Sequence, residues 1–134
     1  MIEVDDSAFP FVVVRFIGDN TDQELEEYFA RLDEVRAAAP HRYVVMLDAT
    51  HAKLPTGRQL RMHANWLRKR MNKIRRSSLA SAYVVPSPAV RVALKALFTL
   101  QAMETPYVVV DTVADARAVL QAYLDRELGT GPTA

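Results

Sequence analysis

The chain has 134 residues, half of them hydrophobic, and a formal charge of +1, which is enough material for the core of one ordinary domain. It contains no cysteine, which excludes disulfides, thiol catalysis and zinc sites built on cysteine. No stretch approaches the roughly 20 apolar residues of a membrane-spanning helix, and we expect a cytoplasmic protein.

The N-terminal part predicts a β-hairpin followed by an amphipathic helix. Residues 1–4 and 9–18 are predicted strands, since the second segment is an almost continuous run of β-branched and aromatic residues. Thr21 and Glu24 have the spacing of a capping box, and apolar residues then recur at helical intervals until Pro40 stops the pattern.

The middle of the chain predicts a strand, a loop and a second helix. A short buried strand covers residues 43–47, ends at Asp48 and leads into the loop. Thr56 and Gln59 again have capping-box spacing, which predicts that a helix begins there. The core-facing side of this helix is predicted to be Leu60, Ala64, Leu67, Met71 and Ile74.

The C-terminal part continues the alternation of strands and helices. A strand at residues 79–85 is followed by Ser87, the predicted cap of a third helix that runs to about Met103. A strand at residues 107–110 precedes a last helix opened by Thr112. The inward side of that helix is predicted to be Ala116, Val119, Leu120 and Tyr123.

The resulting order, ββαβαβαβα, predicts an α/β fold with a mixed, mostly parallel sheet that begins with an N-terminal hairpin and has helices outside it. No repeat, linker or low-complexity segment interrupts this pattern. We therefore predict a single domain over residues 1–128 and a flexible tail over residues 129–134.

This order of elements resembles the STAS domain (sulfate transporter and anti-sigma-factor antagonist). Thr56-Gly57 at the start of the second helix, Trp66 within it, and Val84–Arg91 before a long apolar third helix are similar to a branch of small bacterial STAS-like proteins. The resemblance implies a STAS-like regulatory or scaffold module that acts through protein–protein interaction.

The turn before the second helix differs from that of phosphoswitching STAS domains. In those proteins a strand ending in Asp leads to an Asp-Ser-Ser-Gly turn, and a partner kinase phosphorylates its second serine. Here the turn reads Leu54-Pro55-Thr56-Gly57, so Thr56 corresponds to the phosphorylated serine while the Asp and the first serine are replaced. We therefore expect a module without the phosphoswitch, in which Thr56 is a helix cap.

Charge is distributed unevenly along the chain. Residues 49–103 contain 11 of the 17 Lys and Arg residues and no Asp or Glu, and eight of these bases lie in the second helix. Because they spread around the helix, we expect no specific nucleic-acid binding, but an acidic protein partner or weak contact with an anionic membrane surface. The predicted interaction face consists of Arg58, Met62, Trp66, Lys69 and Lys73.

Trp66 and Met62 lie off the core-facing side of the second helix, among its bases. A tryptophan in that position is either an exposed anchor for a partner or a cover over the edge of the core. The sequence leaves both interpretations open.

The third helix is apolar on two sides, and only one of them can face the sheet. We expect the other side to form a homodimer, with a small apolar-ligand pocket as the alternative. This candidate dimer face consists of Val92, Ala96, Leu100 and Met103.

No catalytic motif, metal-ligand spacing or glycine-rich phosphate loop is present, so we predict no enzymatic activity, no cofactor and no metal. Asp48, Thr50, His51 and Gly57 gather around a predicted strand end, where open α/β sheets bind ligands. The alternative function is therefore a small-ligand or anionic lipid-headgroup binding protein that uses this strand end and nearby apolar surface.

Overall fold

The computed structural model describes residues 1–128, and the tail predicted at residues 129–134 lies outside them. The order of elements agrees with the prediction. The strands are β1 (Ile2–Ala8), β2 (Phe11–Gly18), β3 (Tyr43–Ala52), β4 (Ser78–Val84) and β5 (Tyr107–Val110). The helices are α1 (Asp22–Ala38), α2 (Gly57–Ser77), α3 (Pro88–Leu100) and α4 (Val113–Leu128).

Within the described residues, the strands form one sheet in the spatial order β1-β2-β3-β4-β5. β1 and β2 are antiparallel and meet at Phe9-Pro10, whereas β3, β4 and β5 each run parallel to the preceding strand. Parallel neighbours need a long crossover connection, which α1, α2 and α3 supply. The predicted hairpin and mostly parallel sheet are therefore confirmed.

Hydrophobic cores cover both faces of the sheet. Side chains alternate along each strand, so Val14 and Leu47 contribute to the three-helix core under α1, α2 and α3, while Val13 and Met46 pack with α4. The buried residues of α4 are Ala116, Leu120 and Leu124. The prediction found the first two and missed Leu124, which lies one turn beyond Leu120.

Three predicted element ends are wrong. β1 does not end at Val4 but continues to Ala8, which pairs with Phe11 of β2 beyond a register shift. β3 does not end at Asp48 but continues to Ala52, because its backbone pairs with β2 beyond a register shift. α3 ends at Leu100 and not near Met103, because Gln101 adopts an extended conformation after its N–H closes the last turn with a 2.9 Å hydrogen bond.

Candidate functional site

A capping box holds the N-terminus of α2, as the sequence predicted. The Thr56 hydroxyl accepts a hydrogen bond from the Gln59 N–H at 3.0 Å, and the Gln59 side chain accepts one from the Thr56 N–H at 3.1 Å. The Gln59 amide also donates to the Asn20 carbonyl at 2.7 Å and to Asp22 at 3.2 Å. These bonds tie the turn to the start of α1, while Thr56 and Gly57 remain exposed.

The predicted strand-end cluster lies within β3. The Asp48 carboxylate accepts hydrogen bonds from the Thr50 N–H at 3.0 Å and from the Thr50 hydroxyl at 2.5 Å. Thr50 and His51 are exposed, and Asp48 is half-buried. Their neighbours Ala49 and Ala52 line a cavity beneath the β3–α2 loop, whereas these three residues do not. Their role in ligand binding stays a prediction.

The side of α2 that faces away from the sheet is basic. Arg58, Arg70 and Arg75 are each paired with a carboxylate on a neighbouring part of the chain. Five exposed bases have no carboxylate partner among residues 1–128. These five, which we term the basic face of α2, are Arg61, Arg68, Lys69, Lys73 and Arg76.

The interpretation of Trp66 as an exposed anchor is wrong. Its side chain is 9% exposed and stacks on Phe29 of α1, with ring centroids 5.0 Å apart and planes 8° apart. Arg36 lies 5.9 Å from the indole centroid. Met62 also packs against the three-helix core, because α1 lies beside α2 and widens its buried sector. The predicted interaction residues that are exposed are Arg58, Lys69 and Lys73.

His63 lies in the interior between α1 and α2. Its ring packs edge-on against Tyr28, Phe29 and Trp66 at centroid distances of 6.0, 5.3 and 6.4 Å. No residue in the described range hydrogen-bonds to the imidazole. Burial lowers the pKa of His63 to about 4, so the ring is neutral at neutral pH.

A cavity of about 130 Å³ lies between the sheet, α2 and α3, beneath the loop that joins β3 to α2. Its wall is mostly apolar and includes Leu47 of β3 and Leu94 of α3. His63 and Tyr83 are among its polar wall residues. Leu54, which is 58% exposed, belongs to the loop above it. The cavity therefore reaches solvent beside the short loop that joins β3 to α2.

The outer side of α3 is partly open. Val92 and Leu100 are 67% and 51% exposed, and Ala96 is half-buried. The assignment of Met103 to this side is wrong, because the chain leaves the helix after Leu100 and Met103 packs against the three-helix core. A shallow groove between α3 and β5, which we term the α3–β5 surface, is lined by Val92, Phe98, Tyr107 and Val109.

Within residues 1–128, no three His, Asp or Glu side chains come together in a way that would hold a metal ion. None of the helices in that range combines the length and the apolar character that a membrane span requires.

Gln59, His63 and Tyr83 are parts of the candidate site that were not predicted from the sequence. Helical spacing carries a signal for His63, which lies three residues after Leu60 and four before Leu67 on the core-facing side. Every residue of β4 is buried, so no alternation of apolar and polar residues indicates which face of the sheet Tyr83 lies on. Gln59 was identified only as a cap partner, because its bonds to α1 depend on tertiary packing.

No family model matches the sequence, and no curated protein does. The structure is similar to that of an uncharacterized protein of the DUF3478 family from Shewanella loihica PV-4, described as having a SpoIIAA-like fold. The identity is 15%, the TM-score is 0.61, and the match covers 90% of this chain and 92% of that one. The anti-sigma factor antagonist SpoIIAA in its unphosphorylated form matches with 14% identity and a TM-score of 0.61, over 90% of this chain and 98% of SpoIIAA. The chain therefore has a SpoIIAA-like fold, which agrees with the fold that the resemblance to STAS domains implies.

Proposed function

We propose that this chain is a bacterial, cytoplasmic, non-enzymatic regulatory or scaffold module that binds an acidic surface of a partner protein. The observation that carries the proposal is the basic face of α2, whose five exposed cations have no carboxylate partner among residues 1–128. The fold supports a regulatory role, because the similar SpoIIAA is an anti-sigma factor antagonist.

Charge complementarity is the physical basis of this interaction. Lys69 and Lys73 are one helical turn apart, and the segment that contains them has no acidic residue to neutralise them. A partner that places carboxylates opposite this face gains attraction and a faster association rate, and both effects weaken as salt screens the charges. Burial of Trp66 means that charge, and not an aromatic anchor, contributes most on this side of α2.

Reversal of charge on the basic face is expected to abolish partner capture. The Lys69→Glu/Lys73→Glu variant places two carboxylates where the partner's own carboxylates would dock, and like charges repel. The measurement is quantitative mass spectrometry of proteins captured from native cell extract at low and high salt. Arg117→Glu/Arg126→Glu is the matched control, because it makes the same charge change on α4, across the sheet. Equal capture by both variants would contradict the proposal.

We further propose that the module acts without a phosphoswitch. The Thr56 hydroxyl is the capping acceptor of α2, and the Asp and Ser of the phosphoswitching turn are replaced by Leu54 and Pro55. Thr56 is therefore expected to be unmodified in protein isolated from its native cell under growth and starvation. Phosphopeptide mapping checks this, and a phosphate on Thr56 in either condition would show that the switch is present.

A second copy of this chain is our proposed partner for the outer side of α3. β5 is an edge strand without charge, proline or bulge, whereas the opposite edge strand β1 carries Glu3 and Asp5 and a register shift. We expect a dimer by light scattering at rising protein concentration, and we expect Val92→Glu to convert it to a monomer. A wild-type chain that stays monomeric at high concentration would exclude this assembly.

A further inference from the structure

The cavity beneath the β3–α2 loop contains polar groups that the protein itself does not satisfy. Tyr83 is 8% exposed and lines the cavity, yet no residue in the range 1–128 hydrogen-bonds to its hydroxyl. His63 lines the same cavity and is equally without a hydrogen-bond partner there. Polar side chains in protein interiors almost always have a hydrogen-bond partner. The polar atoms of His63 and Tyr83 are not fully enclosed by the protein, so they remain open to one. A bound molecule would supply what is missing.

The other buried polar group in the wall is already satisfied. Gln59 uses its amide for Asn20 and Asp22 and its carbonyl for the Thr56 cap. A ligand that displaced the Gln59 side chain would therefore break existing hydrogen bonds and gain no free donor or acceptor. His63 and Tyr83 line the cavity and make no hydrogen bond within residues 1–128, so they offer free hydrogen-bonding capacity to a ligand.

Both free groups are neutral at physiological pH. Burial lowers the pKa of His63 to about 4, and burial also raises the pKa of the Tyr83 hydroxyl above its ordinary value. The surrounding wall is mostly apolar, with Leu47 from β3 and Leu94 and Leu97 from α3. The charged residue of the wall, Lys53, is exposed and pairs with Asp19 at 3.8 Å. An ion in the interior would therefore lose its hydration without meeting a buried opposite charge, which is costly. The chemistry of the cavity therefore favours an uncharged molecule.

The size of the cavity limits the ligand. Its volume of about 130 Å³ is close to that of an engineered apolar cavity of about 150 Å³ that is known to bind benzene. One ring, or a branched chain of similar volume, fills such a space. A fused-ring ligand or a long acyl chain would have to extend past the loop at Leu54 into solvent.

We propose that this cavity binds a small uncharged molecule with an apolar body of about one ring and a single hydroxyl or carbonyl group that hydrogen-bonds to Tyr83 and His63. This inference goes beyond the proposed function and does not depend on it, since the basic face of α2 lies on the opposite side of that helix. Ligand binding and partner binding can each be tested while the other is left intact.

Phenol is the probe that fits these limits, and benzoate is its charged counterpart. Titration of the full chain at pH 7, followed by two-dimensional amide NMR, should show saturable shifts for phenol at residues around the cavity and none for benzoate. Tyr83→Phe removes the hydroxyl without changing the ring, and it is expected to weaken phenol binding roughly five- to tenfold. Ala93→Leu places a larger side chain in the cavity wall and should abolish binding.

Tyr107→Phe is the matched control, because Tyr107 lies near Tyr83 but outside the cavity wall. It is expected to bind phenol like the wild type. The proposal is overturned if phenol causes no saturable shifts, if benzoate binds as well as phenol, or if Tyr83→Phe and Ala93→Leu both bind phenol with the wild-type affinity. An amide spectrum with native dispersion confirms that each variant is folded.

Discussion

Replacement of Trp66 with alanine is expected to lower the free energy of unfolding by about 3–5 kcal/mol. The indole is 9% exposed, stacks on Phe29 and fills the space between α1 and α2. Its removal leaves a void at a helix–helix contact that neighbouring side chains can fill only in part. Urea unfolding followed by far-ultraviolet circular dichroism measures this change, since the variant has no tryptophan left for fluorescence.

The exposed neighbour Lys69 supplies the control for this substitution. Lys69 is exposed and lies within one helical turn of Trp66. Lys69→Ala should change the free energy of unfolding by no more than about 0.5 kcal/mol. If Trp66→Ala instead kept full stability and lost partner binding, the indole would be an interaction anchor and the packing of α1 on α2 described above would be wrong.

Acidification is expected to destabilise the fold between pH 6.5 and about pH 4, by about 2–3 kcal/mol, through His63 alone. In the unfolded chain this imidazole takes up a proton below its ordinary pKa of 6.5. In the folded chain burial holds its pKa at about 4, so the ring stays neutral through the same interval. The unfolded state therefore binds more protons in this window, and stability falls as pH falls.

His63→Leu should flatten this pH dependence, because leucine is apolar and of similar size. The exposed His51 provides the matched control, and His51→Gln should retain the wild-type slope. The Asp33 carboxyl also affects the stability of the fold, but in a more acidic pH range than His63. Burial opposes its ionisation, but hydrogen bonds from Arg70 and Arg36 lower its pKa on balance below 3.8, so its contribution is lost only at more acidic pH. Equal slopes for wild type and His63→Leu between pH 6.5 and 4 would place the titration elsewhere.

Local patterns in α2 predicted most of its structure. The capping-box spacing of Thr56 and Gln59 located its first turn, and the apolar spacing from Leu60 to Leu67 located its core-facing side. These features depend on residues within one or two turns of each other, so they are present in the sequence. The same reasoning applied to the strands gave the correct order of elements and a correct sheet direction.

The position of Trp66 could not be obtained in this way. A single helix predicts one apolar stripe, but the width of the buried sector depends on how many neighbours cover the helix. α1 lies on the Trp66 side of α2, so Phe29 covers a residue that a projection of α2 alone places among bases. β3 shows a related limit, because its extension to Ala52 depends on hydrogen bonds with β2 and not on the polar residues at Asp48 and Thr50.

The cavity is a third case in which tertiary packing decides. Its walls come from four strands, three helices and two connecting loops, and no segment of the sequence contains more than a part of them. The charge of the second helix, by contrast, was fully visible in the sequence, and the structure shows which of its bases are exposed. The proposed interaction therefore depends on the exposed bases of α2, which both the sequence and the structure identify.

The dissociation constant of the purified chain for its captured partner tests the central claim most directly. Isothermal titration calorimetry at fixed salt should give a dissociation constant for Lys69→Glu/Lys73→Glu at least roughly tenfold weaker than for the wild type. The control Arg117→Glu/Arg126→Glu should match the wild type. A dissociation constant that is unchanged by reversal of charge at Lys69 and Lys73, in a variant that is fully folded, would contradict binding through the basic face of α2.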